Sequence, residues 1–160
     1  MTEPPPPHED DAIDRIEQEE AEFRPARPGA RVRPGVVFAI ALGGALGAPA
    51  RYGMAQWIHV AKDTFPWATF WTNISGAFVL GLFLTVMIQR FPAPTYPRPF
   101  FAIGFLGAFT TFSTMAVETV TLVKDGHALL GIGYSCISVG LGLAVAYAGI
   151  LAGRVSAARC

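Results

Sequence analysis

The residues of this 160-residue chain that could do chemistry are concentrated in one stretch, Gly104-Phe-Leu-Gly107-Ala-Phe-Thr110-Thr111-Phe112-Ser113-Thr114. Three threonines and a serine fall within five residues, behind two glycines, in an otherwise apolar run. Hydroxyl side chains compete for backbone partners, and glycine costs about 1 kcal/mol relative to alanine inside a helix. Two readings follow: a helix kinked by Ser/Thr back-bonding, or a helix broken at this point. A break inside a membrane frees carbonyls and amides that protein, water or an ion must satisfy. In discontinuous transporter helices, freed carbonyls hold cations and helix N-termini hold anions.

Other polar groups lie in equally apolar surroundings. Glu118 falls one turn after Thr114 and extends the hydroxyl track along one face. Tyr134 and Ser138 share a face at i, i+4 spacing, either as interhelical glue or as part of the same polar path. Asn73, in Trp71-Thr72-Asn73-Ile74-Ser75-Gly76, carries an amide that can join helices or donate to an anion. Arg51 lies about 16 residues into an apolar stretch. An arginine there costs about 2.5–3.5 kcal/mol near a bilayer centre, so it reads as a snorkelling anchor or as the lining of an anion-attracting aqueous vestibule.

The elements that carry these residues are four apolar stretches, about Gly35–Val60, Trp67–Gln89, Pro99–Val123 and His127–Gly153. Each is long enough to cross a hydrocarbon core, which takes about 20 helical residues. The sequence therefore predicts an all-α integral membrane protein of four short-linked transmembrane helices embedded in lipid, with its channel-sized domain at 35–153. Dense small residues along the helices predict close helix packing and an oligomer. Residues 1–34, rich in Pro, Glu, Asp and Arg, predict a disordered acidic tail, and 154–160 a short C-terminal one.

Only 15% of residues are charged and the formal net charge is zero, which argues against nucleic-acid binding. That neutrality is a cancellation. Nine acids and one base lie in the segment through Phe23, and eleven bases and three acids follow it. If the N-terminus is cytoplasmic, that side holds Arg24, Arg27, Arg31, Arg33, Arg90, Arg98, Arg154 and Arg159, and the other side Lys62 and Lys124. The positive-inside rule thus predicts a cytoplasmic N-terminus. The cysteines, Cys136 and Cys160, form no disulfide framework. The sequence shows no nucleophile–base pair, metal cluster or phosphate loop, so no enzyme is predicted.

Gly-Ala-Pro-Ala-Arg51-Tyr, Thr-Asn73-Ile-Ser-Gly76 and the third-stretch motif together resemble the signatures of the Fluc (CrcB) fluoride channels. The resemblance covers all four stretches and excludes the acidic tail. It implies a broken third helix and an antiparallel, dual-topology-type dimer with two fluoride pores at its interface. It also implies a structural sodium ion (Na+) at the dimer centre, held by the carbonyls of Gly107 and Thr110 from each subunit. Asn73, Phe112 and Thr114 would line the pore, Tyr134 and Ser138 would contribute from the fourth helix, Ser113 and Glu118 would continue the polar track, and Arg51 would sit near the vestibule.

In many members of that family a second pore phenylalanine lies three residues after the first, and here that position is Met115. A thioether fills the space without offering an electropositive ring edge. The function implied is passive export of fluoride across the plasma membrane. The alternative is a small four-helix multidrug-type antiporter coupled to protons, which would want a carboxylate in the first helix. Antiparallel homodimers need little Lys/Arg asymmetry, so the eight-to-two bias predicts pairing with an oppositely oriented homologue, with a homodimer as the alternative.

Overall fold

The computed structural model describes residues 33–90 and 96–158. The acidic tail expected at 1–34 lies almost wholly outside the described residues, as do Cys160 and the start of the Phe91–Pro99 link.

Helix α1 spans Pro34–Trp57, with proline at the first helical position, where its missing N–H is no loss. It contains Pro49 and ends three residues before the expected Val60, where Ile58 leaves helical geometry at φ −95°, ψ 91°. Helix α2 spans Trp67–Arg90. The third apolar stretch is built in pieces. Pro99–Leu106 (α3) is wound as a π-helix, one α-turn follows at Gly107–Phe109 (α4), and Phe112–Lys124 forms α5. Between α4 and α5, Thr110 (φ −77°, ψ 157°) and Thr111 (φ −151°, ψ 121°) are extended. Gly126, at φ 89°, makes the turn into α6, Ala128–Ala158. This last helix runs five residues beyond Gly153, because the Arg154–Ala158 segment is made of residues that tolerate a helix well after the apolar stretch has ended.

Among the described residues the structure is all-helical, and it has four helical segments long and apolar enough to cross a membrane. The helices pack in sequence-distant pairs. The broadest contacts join α2 to α6 and α1 to α3, and α5 lies on α6. A methyl group on Gly81 would overlap the Ala146 carbonyl oxygen, and one on Gly43 would overlap that of Phe100. Much of the small-residue surface is thus used inside one subunit, where it lets backbones touch.

Two contacts fix the ends of the bundle. Arg90 Nη2 donates to the Ser156 carbonyl at 2.7 Å, joining the C-terminal ends of α2 and α6. Lys62 Nζ lies 4.0 Å from Asp125 Oδ2, joining the links at the opposite end. With helices alternating in direction, Arg33, Arg90, Arg98 and Arg154 fall at one end, and Lys62 and Lys124 at the other. The interior is small: Phe70, Ile74, Met115 and Tyr134 form the buried cluster. Large side chains such as Leu129, Phe112 and Trp57 face outward.

Candidate functional site

The extended pair Thr110–Thr111 is held by α2. Asn73 Nδ2 donates to the Thr111 carbonyl at 2.9 Å, and the Thr111 N–H donates to Asn73 Oδ1 at 2.8 Å. A primary amide carries both a donor and an acceptor, so it can satisfy the N–H and the C=O of one residue at once. Thr111 also caps α5: its Oγ1 accepts from the Thr114 N–H at 3.2 Å, donates to Thr114 Oγ1 at 3.0 Å, and lies 3.2 Å from Ser113 Oγ. Threonine is a favoured N-cap because its hydroxyl answers an orphan N–H of the first turn.

This arrangement has a consequence for two carbonyls. In an uninterrupted helix the N–H groups of Thr111 and Thr114 would reach the carbonyls of Gly107 and Thr110. Here those N–H groups turn to Asn73 Oδ1 and Thr111 Oγ1. Gly107 and Thr110 both line an open groove of about 570 Å³ between α2, the third stretch and α6. Their carbonyls are hard oxygen donors of the kind that suits an alkali or alkaline-earth cation. The donor set therefore fits sodium in kind, with two oxygens from this chain.

A second polar centre is built around Glu118. Thr69 Oγ1 donates to Glu118 Oε1 at 2.7 Å, and Tyr134 OH donates to Oε2 at 2.8 Å. Both donors are buried, and they tie α2 and α6 to α5. Asn73 lies four residues after Thr69, and Ser138 four after Tyr134. Four helical residues rise about 6 Å, so the two centres are stacked roughly one turn apart along the bundle.

Ser138 differs from several other hydroxyls of the bundle. Thr72, Ser75, Thr85, Thr110, Thr119 and Ser156 each donate to a carbonyl four residues back. Ser138 is 6% exposed, and its Oγ has no hydrogen-bond partner among the described residues. It lines the same groove as Asn73, Thr110, Thr111, Phe112 and Met115.

The remaining sequence-predicted residues separate. Phe112 projects outward at 75% exposure on the groove, whereas Met115 is buried and packs in the interior cluster while its edge also lines the groove. Arg51 is half-buried in α1, six residues before the helix ends, and is not among the groove-lining residues. Two participants were not singled out by the sequence. Thr69 could have been found from its i, i+4 relation to Asn73. Thr111 lay inside the hydroxyl motif, but only its main chain reveals its role.

Residues 38–150, which contain the third-stretch motif and Asn73, match the family model of the CrcB-like proteins, described as Camphor Resistance (CrcB). The chain belongs to the CrcB family. Relatives of this CrcB chain include the fluoride-specific ion channel FluC 3 of Streptomyces avermitilis, 44% identical over 81% of this chain. The match spans 63% of that relative, less than two thirds of its length. The fluoride-specific ion channel FluC 1 of Mycobacterium tuberculosis is 43% identical over 73% of this chain and 89% of its own. The fluoride-specific ion channel FluC of Rhizobium etli is 39% identical over 75% of this chain and 97% of its own. With four spans and channel-named relatives, this CrcB chain is a multi-pass membrane protein. Those relatives carry the name of channels, a class that is not enzymatic, and lend no support to the antiporter alternative.

Proposed function

We propose that this chain forms a fluoride-selective channel of the cell membrane that exports fluoride passively and lowers its cytoplasmic level. The observation that carries the reading is the buried hydroxyl of Ser138, left without a partner among the described residues, on a residue that lines a groove shared with Asn73 and the Thr110–Thr111 interruption, in a chain whose relatives are named as fluoride channels. Fluoride is small and tightly hydrated, so a selective path must replace its water with a series of donors strong enough to admit it and weak enough to release it. Asn73 uses one amide hydrogen on Thr111 and keeps a second to offer. Ser138, Ser113 and Thr114 add hydroxyls, Tyr134 gives its single O–H to Glu118 and so holds that carboxylate beside the path, and the exposed Phe112 ring offers its positive edge. Because HF enters neutral and dissociates inside, an anion leak driven by membrane potential suffices, and no ATP or proton coupling is needed.

We read the extended Thr110–Thr111 pair as a break in the third spanning helix. Sodium would be held by the Gly107 and Thr110 carbonyls, and when bound it supplies a fixed positive charge beside the anion path. Two oxygens from one subunit are too few to coordinate a bare cation, which favours a dimer that doubles them about its centre. An antiparallel pairing is part of this reading, with itself or with an oppositely oriented homologue. The arginine-rich end, by the positive-inside rule, faces the cytoplasm together with the N-terminus. Arg51, near the opposite end of α1, would draw anions to the vestibule.

The test is efflux from liposomes holding the purified protein, read by fluoride- and chloride-selective electrodes. Rapid fluoride loss with chloride retained is expected. No fluoride efflux from the protein alone, nor after reconstitution with an oppositely oriented homologue, overturns the reading. Equal labelling of the termini from both faces of the membrane, in a chain active by itself, would discard the heteromeric pairing and leave the homodimer.

A further inference from the structure

The geometry points to Phe65, on the link before α2, as a positioning residue for the Tyr134–Glu118 centre; as a statement about conduction this rests on the fluoride-channel reading. The link is largely exposed and carries charged residues, yet Phe65 turns inward and packs on the buried cluster of the bundle. Its ring meets Tyr134 edge-on, with centroids 5.2 Å apart and planes at 83°, and meets Phe70 at 5.2 Å and 74°. Edge-to-face is a preferred aromatic arrangement, because the positive rim of one ring meets the negative face of the other.

The backbone that presents this ring is itself fixed. Pro66 is buried and restricts the residue before it to extended conformations. The Trp67 N–H donates to the Phe65 carbonyl at 2.8 Å, and the Phe70 N–H to that of Pro66 at 3.0 Å. Phe65 is therefore locked to the first turn of α2, the turn that also carries Thr69.

Tyr134 is 1% exposed, and its hydroxyl donates to Glu118 Oε2. A tyrosine hydroxyl has no freedom apart from its ring, so whatever sets the ring sets that hydrogen bond. Interior residues Phe70, Ile74 and Met115 pack with Tyr134 in the cluster, and Phe65 supplies the wall on the link side. Phe65 and Tyr134 also border an apolar cleft of about 520 Å³ at that end of the bundle. Truncating Phe65 would open this cleft onto the tyrosine ring and release its tilt. No polar side-chain atom of Phe65 is involved, so it acts on Glu118 through the rings it packs against, and Tyr134 is the one of these that itself bonds the carboxylate.

The test combines flux with a probe of Tyr134 itself. The full chain is labelled with 3-fluorotyrosine, the Tyr134 fluorine resonance is assigned by its loss in Tyr134→Phe, and fluoride efflux is measured from liposomes. Phe65→Ala is expected to shift that resonance and slow efflux severalfold, while Phe65→Tyr, which keeps the ring, restores both. In a Tyr134→Phe background, Phe65→Ala is expected to cause little further loss. Phe65→Leu, which keeps bulk without the ring edge, serves where alanine folds poorly and is expected to shift the resonance as well. An unmoved Tyr134 resonance, or a loss that multiplies fully with Tyr134→Phe, overturns the inference. Should the wild-type protein pass no fluoride, the channel reading fails, and the resonance still decides whether Phe65 positions Tyr134.

Discussion

Asn73 holds Thr111 by both of its main-chain groups, donating to the carbonyl at 2.9 Å and accepting from the N–H at 2.8 Å. The pairing spans 38 residues of sequence and fixes the one place where the third apolar stretch leaves helical geometry. Asn73→Ala strands both main-chain groups of Thr111. Measured hydrogen bonds between membrane helices average only about 0.6 kcal/mol, but stranded buried groups cost about 1–3 kcal/mol. A destabilisation of about 1–3 kcal/mol is expected, read as a lower midpoint of thermal unfolding in detergent, together with loss of fluoride efflux. Asn73→Asp is expected to be at least as harmful, since it turns a carboxylate oxygen toward the Thr111 carbonyl. An unchanged midpoint in both variants would show that the clamp is not what holds the extended pair.

Ser138 offers the opposite pattern. Its hydroxyl is buried with no partner, so Ser138→Ala removes no protein hydrogen bond. Stability is expected to stay within about 0.5 kcal/mol of wild type or to rise slightly, while fluoride efflux falls severalfold. Efflux equal to wild type would remove Ser138 from the anion path.

Glu118 is held from two helices, so its partners should couple. Thr69→Val and Tyr134→Phe each remove one donor to the carboxylate. The double variant is expected to depart from additivity by about 0.5–3 kcal/mol in a thermal-stability cycle, as groups in one network do. Strict additivity would mean that the two hydroxyls do not act through the shared carboxylate.

Close packing makes a separate prediction. Gly81→Ala places a methyl on the Ala146 carbonyl and should cost about 1–3 kcal/mol. Gly133 has open space around its Cα, so Gly133→Ala should be neutral or stabilising by up to about 1 kcal/mol. Thermal midpoints of the pair, measured side by side, check the assignment.

Sodium removal tests the carbonyl pair. A ligand that binds only the folded state at 100 times its dissociation constant stabilises it by about 2.7 kcal/mol. Exchange of sodium for a bulky organic cation is expected to lower the thermal midpoint, and readdition to restore it along a saturating curve. A midpoint indifferent to sodium would argue against the site at Gly107 and Thr110.

Element existence was readable from the chain alone because crossing a hydrocarbon core is a local requirement of length and apolarity, met four times between Pro34 and Ala158. The hydroxyl cluster and the polar spacing of Tyr134 and Ser138 were equally local, and the structure places the extended Thr110–Thr111 pair in the first and two buried hydroxyls in the second. What composition could not give was rotation. Helices apolar on every side carry no stripe to say which face meets which neighbour. Tertiary packing therefore decided that Asn73 meets the Thr111 peptide, that Thr69 and Tyr134 converge on Glu118, that Phe65 closes on Tyr134, and that Ser138 is left without a partner. Each joins residues from different elements, or depends on which way a helix is turned, and no single stretch of sequence encodes that.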